Sequence, residues 1–284
     1  MTKRLTILDI QKMRDDNQPI TMLTAYDAFS ARVAESANVP FILVGDTVGM
    51  VVQGHDSTIP VTLDHIIYHS EIVSRVTQRP LIVGDMPFMT ATTDRQSSLI
   101  NAGRLMREGR VGAVKIEGGE FIAETIHHIT QAGIPVVGHI GLTPQSVNQF
   151  GGFKVQGRGV EQAVQLVRDA EALQQAGAFA VVLELVPAPL ATYITQRLKI
   201  PTIGIGAGAG CSGQVQVFHD VLTLFSEFLP RHAKRFVDAG TIIQDALQQY
   251  VKEVEASQFP TAEQAFNMSE AVLAEVRATI ENAD

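Results

Sequence analysis

The sequence predicts a (β/α)8 barrel, and three observations carry that prediction. Short apolar runs that do not alternate with polar residues recur along the chain, among them FILV, LIV and AVVL; such runs belong to strands buried on both faces of a parallel sheet. Segments with helical apolar spacing separate them, as parallel strands require a crossover between each pair. Asp27, Asp46, Asp85, Glu117, His139, Glu184 and Asp220 lie at or near the C-terminal ends of the predicted strands, the face on which barrel enzymes place their chemistry. A doubly wound open sheet shares the periodicity but would gather those residues at one crevice.

Taken in order, Thr6 can cap a helix over ILDIQKMR, with Leu8 and Met13 offering an apolar stripe, and this helix reads as a lid on one barrel end. ITMLTAYDA is the first strand and FSARVAESAN the first helix, broken at Asn38-Val39-Pro40. The second unit is FILVGD, a loop, and VTLDHIIYHSEIVSRVTQ; the third is LIVGDM with a helix from about Asp94 to Glu108; the fourth is AVKIEG with FIAETIHHITQAG. PVVGHIG opens the fifth unit, whose helix VEQAVQLVRDAEALQQAG follows a long Gly-rich segment from Leu142 to Gly159. A loop of that length is either an active-site cover or a subunit contact. AFAVVLELV, PTIGIGAG and the weaker QVQVFHD supply strands six to eight. TIIQDALQQYVKEVEA and SEAVLAEVRATIEN then read as extra outer helices, so residues 1–284 are expected to form a single barrel domain.

Composition narrows the partners. With 22 basic against 30 acidic residues and a net charge of -8, the chain is a poor polyanion binder, so nucleic acid is not expected. One cysteine, Cys211, excludes an intrachain disulfide framework and a Cys-rich zinc site and suits a reducing compartment. The first residues lack a signal-peptide core and no later segment is apolar enough to span a bilayer, so a soluble cytoplasmic protein without membrane contact is expected.

An isolated Asp after Gly at a strand end is usually a turn former or helix cap. Asp46 in GDTVGM, Asp85 in GDM and Glu117 in AVKIEGG repeat the placement, and three carboxylates at one barrel mouth would repel unless a cation sits between them. Hard oxygen ligands favour Mg²⁺. Lys115 and Glu117 are two apart on a strand and share a face; inside the barrel such a pair needs a metal or an anionic ligand to complete it. Lys115 could alternatively form a Schiff base. Glu184 sits between Leu183 and Leu185, surroundings that suit a general base. His139 either donates to a substrate oxygen or satisfies a backbone carbonyl. His65, His69, His127 and His128 read as surface or packing residues. GAGCSG, Gly208 to Gly213, matches a dinucleotide fingerprint formally, but a strand follows where that motif needs a helix.

The strings LVGDTVGMVVQGHDST, GDMPFM, VKIEGGE, GHIGLTPQSVNQFGGFKVQGRG, LELVPA and IPTIGIGAG, in this order, closely resemble the ketopantoate hydroxymethyltransferase family from about Thr21 to Phe259. The resemblance implies a barrel of the phosphoenolpyruvate/pyruvate type and the first committed step toward pantothenate. It also implies Mg²⁺, 3-methyl-2-oxobutanoate as the oxo acid, 5,10-methylenetetrahydrofolate as one-carbon donor, and a large homo-oligomer, typically a decamer of two stacked pentamers. On this chain the family's metal acids fall on Asp46, Asp85 and Glu117, its oxo-acid contacts on Asp46, Thr47, Asp85 and Lys115, and its proton acceptor on Glu184. His139 falls in a block that lines the family's substrate pocket. Thr47 stands where the family usually has serine, keeping the hydroxyl and adding a methyl. A related barrel lyase would need a loop cysteine, and Cys211 lies after strand seven, in the wrong place. A non-catalytic barrel serving as a binding module should show a broken acid set, and here it is complete.

Overall fold

A computed structural model describes residues 3–152, 154–224 and 230–282. Eight parallel strands close into a barrel in sequence order, β1 pairing with both β2 and β8. They are β1 (Ile20–Thr24), β2 (Phe41–Val44), β3 (Leu81–Asp85), β4 (Ala113–Glu117), β5 (Val136–Gly141), β6 (Ala180–Glu184), β7 (Thr202–Ile205) and β8 (Gly213–Gln216). The helices are α1 (Ile7–Asp15), α2 (Ala28–Ser36), α3 (Val48–Val51), α4 (Leu63–Val76), α5 (Arg95–Arg107), α6 (Ala123–Gln131), α7 (Val147–Phe150), α8 (Val160–Gln175), α9 (Ala188–Arg197), α10 (Phe218–Val221), α11 (Ala239–Glu255) and α12 (Glu270–Glu281).

Two apolar clusters divide the core by strand parity. Met22, Phe41, Leu43, Leu81, Val83, Ala113, Val137, Val182 and Ile203 fill the barrel interior with Ile10 of α1. The alternate residues Ile42, Val44, Ile82, Val114, Ile116, Val181 and Leu183 meet Ile66, Leu105, Ile126 and Leu173 from the surrounding helices. α1 therefore closes the N-terminal end as expected, but through Ile10; Leu8 is exposed. The Arg4 guanidinium pins this end by donating to the carbonyls of Pro80 at 2.8 Å and Ser74 at 3.1 Å.

Three expectations change. Asp27 is the cap of α2, accepting from the Ser30 amide at 2.7 Å, and so does not enter the mouth. Residues 206–212 pass from β7 to β8 without a helix, and among the described residues β8 is followed by the four residues of α10 before α11. Finally, α11 and α12 bury no residue at all, so they are not outer helices of this chain's own barrel. Sequence periodicity reports an amphipathic helix but not which surface its apolar side meets. The long segment after β5 is not featureless either: it holds a 3-10 turn, Pro144–Ser146, and α7.

Candidate active site

Strand parity explains why the polar residues converge. On β3 the inward residues run Leu81, Val83, Asp85, on β4 Ala113, Lys115, Glu117, and on β6 Ala180, Val182, Glu184, so the inner apolar layers give way to charge at the C-terminal end. Register then sets neighbours: Asp85 pairs with Lys115, Glu117 with His139, and Gly141 with Glu184. Lys115 Nζ stands 2.9 Å from Asp85 Oδ1 and 3.5 Å from Glu117 Oε1. His139 bridges two carboxylates, Nδ1 lying 3.4 Å from Glu117 Oε1 and Nε2 3.2 Å from Glu184 Oε2. These residues, with Asp46 and Thr47, line one chamber of about 50 Å³ at the barrel mouth. Every predicted site residue is thus brought together, while Asp27 and Asp220 stay outside the chamber.

The turn after β5 depends on one glycine. Gly141 has φ +94°, and a Cβ there would come 2.2 Å from the Glu184 carbonyl oxygen. That closeness lets the Leu142 amide donate to the same carbonyl at 2.8 Å, clamping β5 to β6 beside Glu184.

Electrostatics in the chamber are tightly coupled. Burial, then the charges of Asp85 and Glu117, push the Asp46 carboxyl well above its ordinary pKa. Burial also raises Asp85 despite the opposing Lys115 ammonium. For Glu117 the burial effect is overcome by Lys115 and His139, and its pKa is lowered. Burial pulls Lys115 down, but Asp85, Glu117 and Asp46 outweigh it and hold the ammonium protonated. A Schiff-base lysine needs the reverse shift. Burial and the Lys115 charge, whose Nζ lies 3.2 Å from His139 Nδ1, pull His139 down, yet Glu117 and Glu184 carry it up to about 9.

The carboxylates suit a hard cation in one specific respect. Asp46, Asp85 and Glu117 crowd three buried carboxylates around the Lys115 ammonium, which lies 2.9 Å from Asp85 Oδ1 and 3.5 Å from Glu117 Oε1, so oxygen lone pairs are left over for a hard cation in a closed space. Among the described residues, no three His, Cys, Asp or Glu side chains already form a metal cage. Mg²⁺ does not demand one, since it is held by one or two carboxylates with substrate and water completing its shell.

Two residues beyond those singled out in the sequence belong to this site. Gln145 donates from Nε2 to Asp46 Oδ2 at 2.8 Å and to the Met86 carbonyl at 3.0 Å, while its amide donates to Glu117 Oε2 at 3.1 Å. It thereby ties the segment after β5 across the mouth, and a polar residue in a strand-end loop was the available signal. Tyr26 is buried beside Thr24 and Thr47; burial, with the Asp46 and Asp85 charges adding to it, keeps the phenol protonated. It adjoins Asp27, whose acid drew attention away from it. His69 Nδ1 contacts the Tyr26 carbonyl at 2.6 Å, and His127 and His128 are exposed, all consistent with packing or surface roles. GAGCSG leads into β8, so the dinucleotide reading fails as expected.

A closed parallel barrel with acids gathered at its C-terminal mouth has the architecture of a (β/α)8-barrel enzyme. The fold matches that of phosphoenolpyruvate phosphomutase from Streptomyces platensis subsp. rosaceus with TM-score 0.61 at 15% identity, covering 98% of this chain and 97% of that one. It likewise matches 2,3-dimethylmalate lyase, a PEP mutase/isocitrate lyase superfamily member, with TM-score 0.58 at 19% identity over 98% and 97%. The chain belongs to the ketopantoate hydroxymethyltransferase family, which it matches over residues 4–262. It is 58% identical over 271 residues to the 3-methyl-2-oxobutanoate hydroxymethyltransferase of Chloroflexus aurantiacus, covering 95% of this chain and 96% of that protein. The protein is an enzyme of the transferase type.

Proposed function

We propose that the enzyme transfers a one-carbon unit from 5,10-methylenetetrahydrofolate to 3-methyl-2-oxobutanoate, giving 2-dehydropantoate at the start of pantothenate synthesis. Family membership supports the reaction, and the observation that carries the mechanism is the inward cluster of Lys115 and His139 among Asp46, Asp85, Glu117 and Glu184. Asp46, Asp85 and Glu117 would hold Mg²⁺, which when bound supplies Lewis-acid polarisation of the keto and carboxylate oxygens. Lys115, kept as an ammonium, meets the negative charge of the oxo acid, with Thr47 and Asp46 beside it. Preorganised cations act most strongly where charge grows in the transition state. Glu184 takes the C3 proton, held toward the chamber by its contact with His139. Water opens the donor's methylene bridge, tetrahydrofolate leaving with its two N–H protons and the carbon freed at the formaldehyde level; the carbanion then attacks that carbon, whose oxygen takes a proton and becomes the new hydroxyl. His139, held between Glu117 and Glu184, donates to the new hydroxymethyl oxygen.

The same reading takes residues 1–284 as one barrel domain that assembles as a homo-oligomer, a decamer of two stacked pentamers. Its support is the exposed apolar side of α11, with Ile242, Leu247, Tyr250 and Val254, and of α12, with Leu273 and Val276. A cytoplasmic setting accords with the lone free Cys211; among the described residues no helix is long and apolar enough to cross a membrane.

The test is the Glu184→Gln variant. It should keep oxo-acid binding but lose C3 proton exchange in deuterated water by about 10²-fold or more. Unchanged exchange removes Glu184 from the base role. Wild-type turnover indifferent to EDTA, together with borohydride trapping at Lys115, would replace the metal mechanism by a Schiff base.

A further inference from the structure

The chamber that holds the reacting acids is far too small for a multi-ring carrier, so whatever delivers the one-carbon unit must sit in space adjoining it. Two cavities touch its wall. One, of about 260 Å³, adjoins through Pro144 and is lined by Asp56, Ser57, Thr58, Val147 and Asn148, with no aromatic face among the described residues. The other, of about 830 Å³, is reached past Glu117, which lines both spaces. Gln145, bonded to Asp46, forms part of its wall. A volume of this size falls in the range of cofactor sites.

Its lining has a definite chemistry. Phe88 and Phe121 stand in the cavity wall with 43% and 76% of their surfaces exposed, an unfavourable disposition for two phenyl rings unless something flat covers them. Phe121 lies against the turn at Gly118, where φ is +130° and a Cβ would meet its ring at 2.6 Å. Beside it, Gly119 admits the Asp169 carboxylate, whose Cγ would be 2.1 Å from a Cβ at that position. Asp169 Oδ1 is fixed by the Glu120 amide at 2.9 Å and Gln165 Nε2 at 3.0 Å. Glu120 and Asp169 thus give an acceptor edge next to an aromatic face. On the shared wall, the buried Glu117 carboxylate has Oε1 turned to Lys115 and His139 in the chamber and Oε2 accepting from the Gln145 amide.

We propose that this cavity between the β4 to α6 turn and α8 is the carrier subsite, in which Phe121 and Phe88 stack on a flat heteroaromatic ring and Glu120 and Asp169 accept from its ring N–H and amino donors. The proposal rests on the reading that a tetrahydrofolate brings the one-carbon unit. Stacked in this way, the carrier's methylene faces Glu117 and the chamber beyond it.

The test compares wild type, Phe121→Ala, Phe121→Trp and Asp169→Asn in three measurements: tetrahydrofolate binding by titration calorimetry, KM for 5,10-methylenetetrahydrofolate, and KM for the oxo acid. Phe121→Ala and Asp169→Asn are expected to weaken tetrahydrofolate and raise the donor KM about tenfold, the scale of a lost stacking or charged contact. The oxo-acid KM should stay within twofold, and Phe121→Trp should restore donor binding. Donor KM and tetrahydrofolate affinity unchanged in both variants would overturn the subsite while leaving the donor assignment standing. Equal losses for donor and oxo acid would also overturn it, marking a structural role. A wild type that exchanges the C3 proton yet neither binds tetrahydrofolate nor turns over its methylene form would overturn the donor reading itself, and the subsite with it.

Discussion

Replacing Lys115 by Met removes the cation that Asp85 and Glu117 share while keeping the length of the side chain. The ammonium is 2.9 Å from one carboxylate and 3.5 Å from the other, and all three side chains are at most 4% exposed. Breaking a buried ion pair by deleting one partner costs about 3–5 kcal/mol, because the remaining charge stays desolvated. At about 2–4 °C per kcal/mol for a chain of this size, the variant should melt about 10 °C below wild type at neutral pH. The pH dependence has a definite sign. Asp46 and Asp85 already have raised pKa values, and without Lys115 they rise further. A carboxyl that binds its proton more tightly in the folded state loses stability as pH climbs from its unfolded value, about 3.9, through its folded one. The deficit should therefore be largest above neutral pH and shrink toward pH 4. Calorimetric melts of Lys115→Met, Asp85→Asn and the double variant provide the check, with the double variant recovering more than half of the loss. A single variant within 2 °C of wild type at pH 7.5 would refute the claim that Lys115 neutralises these acids.

Gly141→Ala should be the most damaging small change at the mouth: a Cβ 2.2 Å from the Glu184 carbonyl and 2.8 Å from Val186 Cγ2 forces β5 from β6, lowering both melting temperature and kcat, as melts and steady-state kinetics would show. Gln145→Leu removes the donor to Asp46 and to the Met86 carbonyl, a charged and a neutral hydrogen bond together worth about 2–4 kcal/mol, and should raise the oxo-acid KM at least tenfold. Burial raises Asp220 to about 6, so the folded state loses stability between about pH 4 and pH 6. Asp220→Asn should then be more stable than wild type above pH 6, by about 1 kcal/mol after allowance for solvent screening, and equal to it below pH 4, as measured by urea titration across that range.

The barrel was legible because its strands are buried on both faces and so read as unbroken apolar runs. The site was legible because parity of two along β3, β4 and β6 puts Asp85, Lys115, Glu117 and Glu184 on the inner face, and Asp46 follows directly at the end of β2. Asp27 misled since the same residue type serves as helix cap and as acid, and only the Ser30 contact separates the two. Gln145 was missed because its importance lies in reaching from the segment after β5 to an acid after β2, a relation that no local pattern encodes. The direct passage from β7 to β8 was legible, since GAGCSG runs into the strand QVQVF with no helical spacing between; the outer ring was less so, because apolar runs announce strands and not which segments return to cover them.

That incomplete outer ring bears on how the protein comes into being. Residues 239–255 and 270–281 form two helices whose Ile242, Leu247, Tyr250, Leu273 and Val276 stay wet in the single chain. In the homo-oligomer proposed above, that surface would be covered only by another copy of the chain, an encounter whose rate scales with the square of the chain's concentration. Newly made chains at low abundance would linger in that sticky state, and expression level, not barrel stability, would govern how many reach a soluble form.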